Sequence, residues 1–190
     1  MKKLTTTHYV LIGAAVAALL LVLWFVGTYN SLIKLNNGIE NQWAQVENQY
    51  QRRADLIPNL VNTVKGFAKQ ELTIFTEVTR LRSQWADAST RSDKIAAANA
   101  MDSGLSRLLL VAENYPQLKS NENFLALQAQ LEGTENRVAV ERQRYNDAVL
   151  LFNNKIQTVP SVFVAKLFGY GKKDYFQVEE GKEAVPNVQF

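Results

Sequence analysis

Side chains that could carry out chemistry are few in this 190-residue chain. It has no cysteine and one histidine, His8, which lies at the edge of a long apolar stretch. Thiol nucleophiles, thiolate metal sites and disulfides are therefore excluded, and so are the usual Ser-His and Cys-His pairs. A di-iron site in a helical bundle needs Glu-x-x-His motifs on two helices, which one histidine cannot supply. The sequence predicts no cofactor and no metal.

Carboxylates remain as candidates for acid–base chemistry. Glu71 with Glu77, and Glu141 with Asp147, could be proposed as catalytic pairs. Acidic residues at such positions are, however, ordinary on the solvated faces of amphipathic helices. The sequence Gly169-x-Gly171 follows an apolar segment rather than a strand, so it predicts a turn and not a phosphate-binding loop. We therefore expect a protein that is not an enzyme.

The densest charge cluster is Arg52-Arg53-Ala54-Asp55, with Pro58 close behind. The two arginines could meet an anionic partner; alternatively, they pair with Asp55 and satisfy carbonyl groups at a helix end. Because Asp55 can cap a helix and Pro58 fits a first turn, we predict a turn between two helices here. A proline kink in one continuous helix is the alternative. Arg52, Arg53, Asp55 and Pro58 form a candidate interaction site.

The element that decides where such a site works is the N-terminal apolar stretch, which has no charge from Tyr9 to Gly27. As a helix it would span about 28 Å, close to the hydrocarbon core of a bilayer. A signal peptide is the competing interpretation, but its apolar region is shorter and ends at a small-x-small cleavage site. We predict an uncleaved transmembrane helix at residues 9–27, with residues 1–8 as its cytoplasmic flank.

Charges beside this helix predict its orientation. Lys2 and Lys3 precede it, whereas Lys34 is the only basic residue between it and Arg52. By the positive-inside rule the N-terminus stays in the cytoplasm and the remaining chain lies outside it. That remainder holds 19 of the 21 basic residues against all 18 acidic ones. Such near neutrality argues against nucleic acid as a partner.

Beyond the anchor, apolar residues recur every three or four positions, which indicates amphipathic helices. We predict one helix up to the Arg52 junction, a second to about Trp85, a third from Lys94 to about Asn114, and a fourth from about Ser120 to Gln157. Asp93 and Ser120 are the expected N-caps of the last two. Gly66, Gly104 and Gly133 fall inside helices, where they either mark close helix approach or are simply tolerated.

The fourth helix carries a seven-residue repeat that Glu141 interrupts. This spacing is typical of a gently supercoiled seam. Glu141 either reaches the edge of the seam or makes a polar contact that sets its register. The fold prediction is all-α: a transmembrane helix followed by an antiparallel four-helix bundle with long coiled-coil-like helices over residues 28–158. The repeat consists of Phe124, Leu131, Val138, Tyr145 and Phe152.

Residues 159–190 are predicted to begin at the membrane-proximal end, because the fourth helix of such a bundle returns towards the anchor. Aromatic residues and lysines mixed in this way suit a lipid interface. The alternative is a segment that caps the open end of the bundle. The polar tail after Gln177 is expected to be extended or loosely ordered. The candidate membrane-interface residues are Phe163, Leu167, Phe168, Tyr170, Lys172 and Lys173.

Two segments resemble the bacterial LemA family: YNSLIKLNNGIENQWAQVENQYQRRADLIPNLVNTVKGFAKQE and FNNKIQTVPSVFVAKLFGYGKKDYFQVEEG. The resemblance runs from about Tyr29 to the C-terminus and implies a membrane-associated helical bundle with no established catalytic residues to carry over. The resemblance also implies a lipid anchor, since many members of the family are anchored as lipoproteins by a cysteine just before the YN pair. Here Gly27-Thr28 stands at that place, so the helix alone would be the anchor.

We therefore expect a non-enzymatic, membrane-anchored interaction or structural protein of the bacterial inner membrane, with its bundle domain on the periplasmic side. The expected partners are membrane lipid through the N-terminal helix, further copies of the chain, and an envelope protein not yet identified. Self-association is favoured if Trp43, Tyr50 or Trp85 are partly uncovered. The alternative is a membrane-organising or membrane-remodelling oligomer; a sensory bundle is less favoured, since about eight residues precede the anchor.

Overall fold

The computed structural model of the chain describes residues 6–177 and contains six helices. Of these residues 86% are helical, and no strand occurs among them. The predicted all-α fold with a long apolar N-terminal helix is confirmed. Residues 1–5 of the predicted cytoplasmic flank and residues 178–190 of the predicted polar tail lie outside the described part of the chain. The helices are α1 (Thr6–Phe67), α2 (Leu72–Asp87), α3 (Arg91–Glu113), α4 (Pro116–Lys119), α5 (Glu122–Gln157) and α6 (Ser161–Leu167).

The predicted turn at Pro58 is wrong, because α1 runs through this proline without a break. A proline inside a helix lacks the N–H that would bond to the carbonyl four residues earlier, here that of Ala54. In this protein the side chain of Arg82 on α2 supplies the missing donor: its Nε lies 3.0 Å from the Ala54 oxygen. The helix then ends at Phe67, nine residues beyond the proline.

Continuing the helix also keeps one apolar face buried on both sides of the proline. Val46, Tyr50, Ile57, Leu60 and Val64 are each at most 1% exposed and follow the three-to-four-residue spacing of a helix face. A turn at Asp55 would have broken this face. The chain reverses later, where the amide of Glu71 bonds to the Ala68 carbonyl at 3.1 Å.

Two of the helix starts differ from the predicted caps by one to three residues. Helix α3 is capped by Thr90, whose Oγ1 accepts from the amide of Asp93 at 3.1 Å. Helix α5 has Asn121 at the equivalent place, with its Oδ1 accepting from the amide of Phe124 at 3.1 Å. In both cases the cap is the residue three before the bonded amide. The predicted end of the third helix before Pro116 is confirmed, and this proline begins the short α4.

The predicted seven-residue seam of α5 is buried along its whole length. Supercoiling of the helices stays a prediction. Glu141, which interrupts the seam, accepts from Arg144 on the same helix at 2.8 Å. Trp43, Tyr50 and Trp85 are 8%, 1% and 4% exposed, so the condition under which they would favour self-association is not met.

The chain forms two compact units. The first unit comprises Met1–Gln42 and Asp147–Lys173, and the second comprises Trp43–Asn146 and Asp174–Phe190, each described within residues 6–177. The predicted domain boundaries at residues 27 and 158 stay predictions. Among the described residues, the second unit takes its core from five helices, α1 to α5, and a short connection of three residues joins α2 to α3. In the first unit the buried residues include Leu32, Ile39, Phe152 and Val164.

Candidate membrane-interface and interaction sites

The apolar beginning of α1 is exposed from Tyr9 to Trp24, which is most of the predicted span. Side chains from Tyr9 to Val22 leave roughly half or more of their surface uncovered, and Leu21 is 66% exposed. By length and composition this is the one helix among the described residues that could cross a membrane. Burial begins at Phe25, Thr28 and Tyr29, where the apolar stretch ends and the packed part of the first unit starts.

The aromatic residues at this boundary contact the end of α6. The ring of Phe168 lies 4.3 Å from that of Tyr29 and 6.1 Å from that of Phe25, measured between centroids. Aromatic pairs at such separations contribute about 0.5–1.5 kcal/mol beyond the area that they bury. The contacts hold the C-terminal end of α6 beside the last turn of the apolar stretch.

Helix α6 follows α5 through a connection tied by hydroxyl groups. The Oγ of Ser161 donates to the carbonyl oxygens of Lys155 at 2.6 Å and Thr158 at 2.9 Å. Gly169 ends the helix with a φ of 71°, a left-handed conformation that glycine adopts without cost. The amide of Tyr170 then bonds to the carbonyl of Ala165 at 2.9 Å, which completes a Schellman-type end. The turn predicted at Gly169 is present.

The predicted membrane-interface residues divide into two groups. Phe163 and Leu167 are 68% and 69% exposed and lie four residues apart on one face of α6. Phe168 is 46% exposed beside Phe25 and Tyr29, and Lys172 is also exposed.

The second group consists of Tyr170 and Lys173, which contact other residues of the first unit. Tyr170 makes an edge contact with the ring of Phe152, 5.9 Å between centroids. Lys173 is partly covered, and its backbone is held by the side chain of Asn153, which donates to the Lys173 carbonyl and accepts from its amide, both at 2.9 Å. Of the six predicted residues, four therefore present side chains to the surroundings, and Tyr170 and Lys173 help to pack the first unit.

The predicted interaction cluster at Arg52–Pro58 is split between the surface and the interior of the second unit. Arg52 is exposed and lines a shallow groove with Asp55 and Arg137. Asp55 accepts from Gln51 at 2.8 Å rather than from an arginine. Arg53 is 6% exposed and forms ion pairs with Asp102, at 3.2 Å, and with Glu135.

Arg53 belongs to a buried ionic cluster that the sequence analysis missed. One carboxylate oxygen of Asp102 accepts from Tyr50 at 2.9 Å and from Nη2 of Arg142 at 2.6 Å. Arg142 also donates to the hydroxyl of Tyr50. Its guanidinium carbon lies 5.4 Å from the Tyr50 ring centroid and 4.4 Å from that of Phe176. Two arginines and two carboxylates thus balance one another in the second unit; three of them are largely covered, and the side chain of Glu135 is 49% exposed.

Burial lowers the pKa of Arg142 to about 10, because the charged guanidinium loses contact with water. Arg142 therefore stays protonated at neutral pH and remains the partner of Asp102. A signal for this cluster exists in the sequence: Asp102 lies four residues after Ala98 and three before Leu105, so it falls on the buried face of α3. A charge at such a position needs a buried partner.

The end of the described chain lies across the second unit without regular secondary structure. Asn146 donates to the carbonyl of Phe176 at 3.0 Å and accepts from its amide at 2.7 Å. Tyr145 donates to the carbonyl of Asp174, and Asn99 to that of Gln177, each at 2.9 Å. Together, residues 174–177 are called here the C-terminal strap.

The side chain of Phe176 anchors the strap and is 4% exposed. Its ring stacks on that of Tyr50, with centroids 6.1 Å apart and planes 6° from parallel. The ring of Trp43 lies 6.4 Å away. Trp43 and Tyr50 are therefore covered by a segment that is far from them in sequence.

The two carboxylates of the candidate pair Glu71 and Glu77 each have another partner. Glu77 pairs with Arg107 at 3.1 Å, and Glu71 lies 3.5 Å from the hydroxyl of Tyr115. Among residues 6–177 no group of three or more histidine, cysteine or acidic side chains is arranged to hold a metal ion. The first unit thus has an exposed apolar face on α6 beside the end of the apolar stretch, and the second unit has a slot that the C-terminal strap fills.

Comparison with known proteins gives one family. The sequence model of the LemA family matches residues 42–190, which is most of the chain and includes the ionic cluster and the strap. The match begins somewhat later than Tyr29, where the resemblance was predicted to start.

Similar proteins occur in three bacteria. Magnetosome protein MamQ 2 of Paramagnetospirillum magneticum is 24% identical over 85% of this chain and 71% of the relative. Protein LemA of Metamycoplasma hominis is 23% identical over 82% of this chain and 72% of the relative. Magnetosome protein MamQ of Magnetospirillum gryphiswaldense is 22% identical over 78% and 64%. None of these three names is that of an enzyme.

Proposed function

Because this chain belongs to the LemA family and its one long apolar helix ends against the aromatic tip of α6, we propose that it is a non-enzymatic, membrane-anchored structural protein that rests α6 on the bilayer surface. The contact of Phe168 with Phe25 and Tyr29 is the observation that carries the proposal. It holds α6 at the end of the apolar stretch, where a membrane-spanning helix would leave the hydrocarbon core.

The exposed face of α6 has the chemistry of the lipid interface. Phe163 and Leu167 present apolar side chains to the surroundings, and Lys166 and Lys172 stand beside them. Burying a side chain of this size contributes about 1.5–3 kcal/mol, and each lysine near an anionic surface adds about 1 kcal/mol. These gains would fix the orientation of the first unit on the membrane.

Fluorescence of single-cysteine variants tests this contact, since the chain has no native cysteine. Phe163→Cys and Leu167→Cys are labelled with an environment-sensitive dye, and the full chain is reconstituted in vesicles containing anionic lipid. Leu110→Cys is the matched control, because Leu110 is 64% exposed on α3 in the second unit. We expect blue-shifted emission and quenching by spin-labelled lipid at residues 163 and 167. Emission at both positions equal to that at residue 110 would contradict the proposal.

We also propose the bacterial inner membrane as the location, with the N-terminus in the cytoplasm and the chain that follows the apolar stretch on the periplasmic side. Ser89, exposed in the α2–α3 connection, is the position for a topology test. In cells with a permeabilised outer membrane, Ser89→Cys should react with a membrane-impermeant maleimide. Protection until the inner membrane is lysed would reverse the orientation and direct the search for partners to the cytoplasm.

Self-association is a further part of the proposal, with an envelope protein as a second kind of partner. A membrane-organising oligomer is the second candidate function, and the exposed Phe163 and Leu167 favour it, because apolar side chains inserted beside many anchors would act on the bilayer together. Amine-reactive cross-linking of the full chain in its own membranes distinguishes an anchored monomer from a membrane-organising oligomer. A ladder of multimers would support the oligomer, whereas monomer alone would mean that each chain acts by itself on the membrane.

A further inference from the structure

A groove between α1 and α5 in the second unit has the dimensions of a binding site. Its volume is about 490 Å³, which lies within the roughly 300–1,000 Å³ typical of ligand pockets. Two arginines stand beside a floor of small or apolar residues, so an occupant with both negative charge and apolar side chains would fit it best. The groove, called here the arginine groove, is lined by Arg52, Asp55 and Leu56 on α1 and by Ala129, Gly133 and Arg137 on α5.

The two arginines of the arginine groove have no partner among the described residues. Arg52 and Arg137 are both exposed, and neither forms a hydrogen bond or an ion pair there, whereas the neighbouring Arg53 belongs to the buried ionic cluster. The acid of the groove, Asp55, accepts from Gln51. One positive charge is therefore in excess. Because a guanidinium group binds a carboxylate through two parallel hydrogen bonds, the groove favours an acidic segment as its occupant.

Contacts between α1 and α5 place both arginines at one level of the second unit. Arg53 pairs with Glu135, and Tyr50 with Arg142, so the two helices are antiparallel and the arginines of the groove face each other across it. The strap also contacts Tyr50, through the ring of Phe176. The arginines therefore lie at the end of the groove that is nearer to the strap.

Residues 178–190, called here the acidic tail, continue from the strap and have matching chemistry in a matching order. Three glutamates come first and are accompanied by a single lysine. Apolar residues follow, among them Val185, Val188 and Phe190. In the groove the arginines likewise come first, and Leu56 and Gly133 lie one helical turn further from the strap. The acidic residues of the tail are Glu179, Glu180 and Glu183.

The end of the strap is close enough for the acidic tail to reach the groove. Asn99, which holds Gln177, lies one turn before Asp102 on α3, and Asp102 bonds to Tyr50, two residues before Arg52. The arginines are thus about 10 Å from the end of the strap along the bundle, and crossing one helix adds about 10–12 Å. The six residues that lead from the strap to the third glutamate span up to about 20 Å.

We propose that the acidic tail docks in the arginine groove of its own chain, with its glutamates on Arg52 and Arg137 and its apolar residues on the floor. The chain connection favours this occupant over a separate acidic peptide, because a short linker gives the tail an effective concentration in the millimolar range. A docked tail covers both arginines, so an acidic segment of another protein must displace it to bind there. The inference concerns the second unit alone and does not depend on the membrane contact or on self-association.

Cysteine cross-linking within the full chain tests the docking, because the chain has no native cysteine. The test variant carries Gln130→Cys, on the wall of the arginine groove, and Ala184→Cys in the acidic tail. The control combines Ala184→Cys with Ser106→Cys, at an exposed position of α3, the helix that holds Gln177. Both are treated with a short bis-maleimide at low protein concentration in detergent, and peptide mass spectrometry measures the internal product. We expect several-fold more of it from the test variant, and equal yields would overturn the docking.

Charge variants of the test protein decide whether the arginines hold the tail. Arg52→Glu with Arg137→Glu should reduce the internal product to the level of the control, whereas Arg80→Glu, at an exposed position of α2, should not. Adding Glu179→Lys and Glu180→Lys to the double variant should restore the product. An undiminished product after both arginine substitutions would overturn the proposal. So would a product that joins two differently tagged copies in place of the internal one, since the occupant would then be the tail of another molecule.

Discussion

The Nε of Arg82 donates to the carbonyl oxygen of Ala54 at 3.0 Å, and that oxygen is the one that Pro58 leaves without a helical donor. A side chain from α2 thus donates the hydrogen bond that α1 lacks at its proline. Ala54 is 2% exposed, so water cannot take the place of the arginine easily. The pairing explains how a proline sits within a 62-residue helix.

Arg82→Met is therefore expected to lower the free energy of unfolding by about 1–3 kcal/mol, because it leaves the buried Ala54 carbonyl unsatisfied. Urea unfolding of the full chain in detergent, followed by circular dichroism, measures the change. Arg80→Met on the exposed face of α2 is the matched control and should stay within about 0.5 kcal/mol.

A second substitution separates this mechanism from a general loss of packing. Pro58→Ala restores the N–H that bonds to Ala54 within the helix. In the Arg82→Met background, Pro58→Ala should recover most of the lost stability. If the double variant is as unstable as Arg82→Met alone, the Arg82 side chain acts through some contact other than the Ala54 carbonyl.

The contact between Arg82 and Ala54 explains why the turn predicted at Pro58 was wrong. Asp55 and Pro58 are good signals for the start of a helix, and the local pattern fits a turn as well as a kink. The deciding group, Arg82, lies 28 residues away from Ala54, so no local rule could include it. The periodicity of Ile57, Leu60 and Val64 is continuous with that of Tyr50, and this longer-range pattern was the better guide.

Removing the shared carboxylate of the buried ionic cluster should be the most damaging single change. Asp102→Ala leaves Arg142 without a counter-charge and Arg53 with Glu135 alone. Leaving a buried charge uncompensated costs about 3–5 kcal/mol. The loss should appear in urea unfolding, whereas Asp147→Ala, at an exposed position of α5, should change little. Adding Arg142→Met to Asp102→Ala should recover part of the loss, and no recovery would mean that Arg142 is not the stranded charge.

The lowered pKa of Arg142 gives a prediction about pH. Above about pH 10 the folded chain releases the Arg142 proton while the unfolded chain still holds it, so this group favours folding as the pH rises above 10. Below pH 10 both states are protonated and the contribution is constant. The difference in unfolding free energy between the parent and Arg142→Met should therefore be level from about pH 6 to 9. A drift above about 1 kcal/mol would place the pKa of Arg142 inside that range.

The buried ionic cluster and the strap were beyond the sequence analysis for different reasons. The buried seam from Phe124 to Phe152 was predictable, because all its residues lie on one helix at a regular spacing. Asp102 was recognisable only as an acid on an apolar face, and its partners come from α1 and α5. Phe176 sits in a polar segment without periodicity. Its burial depends on Asn146 and Tyr50, which no local pattern connects to it.

Substituting alanine for glycine should change the stability of the protein differently at Gly104 and at Gly133. A Cβ added at Gly104 would lie 2.6 Å from Cδ1 of Leu81, so α3 and α2 approach one another closely there. Gly133 on α5 has no neighbouring atom within 4 Å of the same position. Overpacking costs about 1–3 kcal/mol, and replacing glycine inside a helix gains about 1 kcal/mol. We expect Gly133→Ala to stabilise the protein and Gly104→Ala to leave it less stable or, at best, unchanged.

Truncating the neighbour of Gly104 tests whether close approach is the cause. Leu81 is 5% exposed, so Leu81→Ala by itself should cost about 2–5 kcal/mol through the cavity that it leaves. In that background a methyl group at residue 104 has room, and Gly104→Ala should become stabilising by about 1 kcal/mol. Unfolding of the parent, both single variants and the double variant gives the coupling energy between the two residues. A coupling energy near zero would mean that close packing against Leu81 does not require glycine at residue 104. Gly104 would then be simply tolerated inside the helix, which is the second alternative of the sequence analysis.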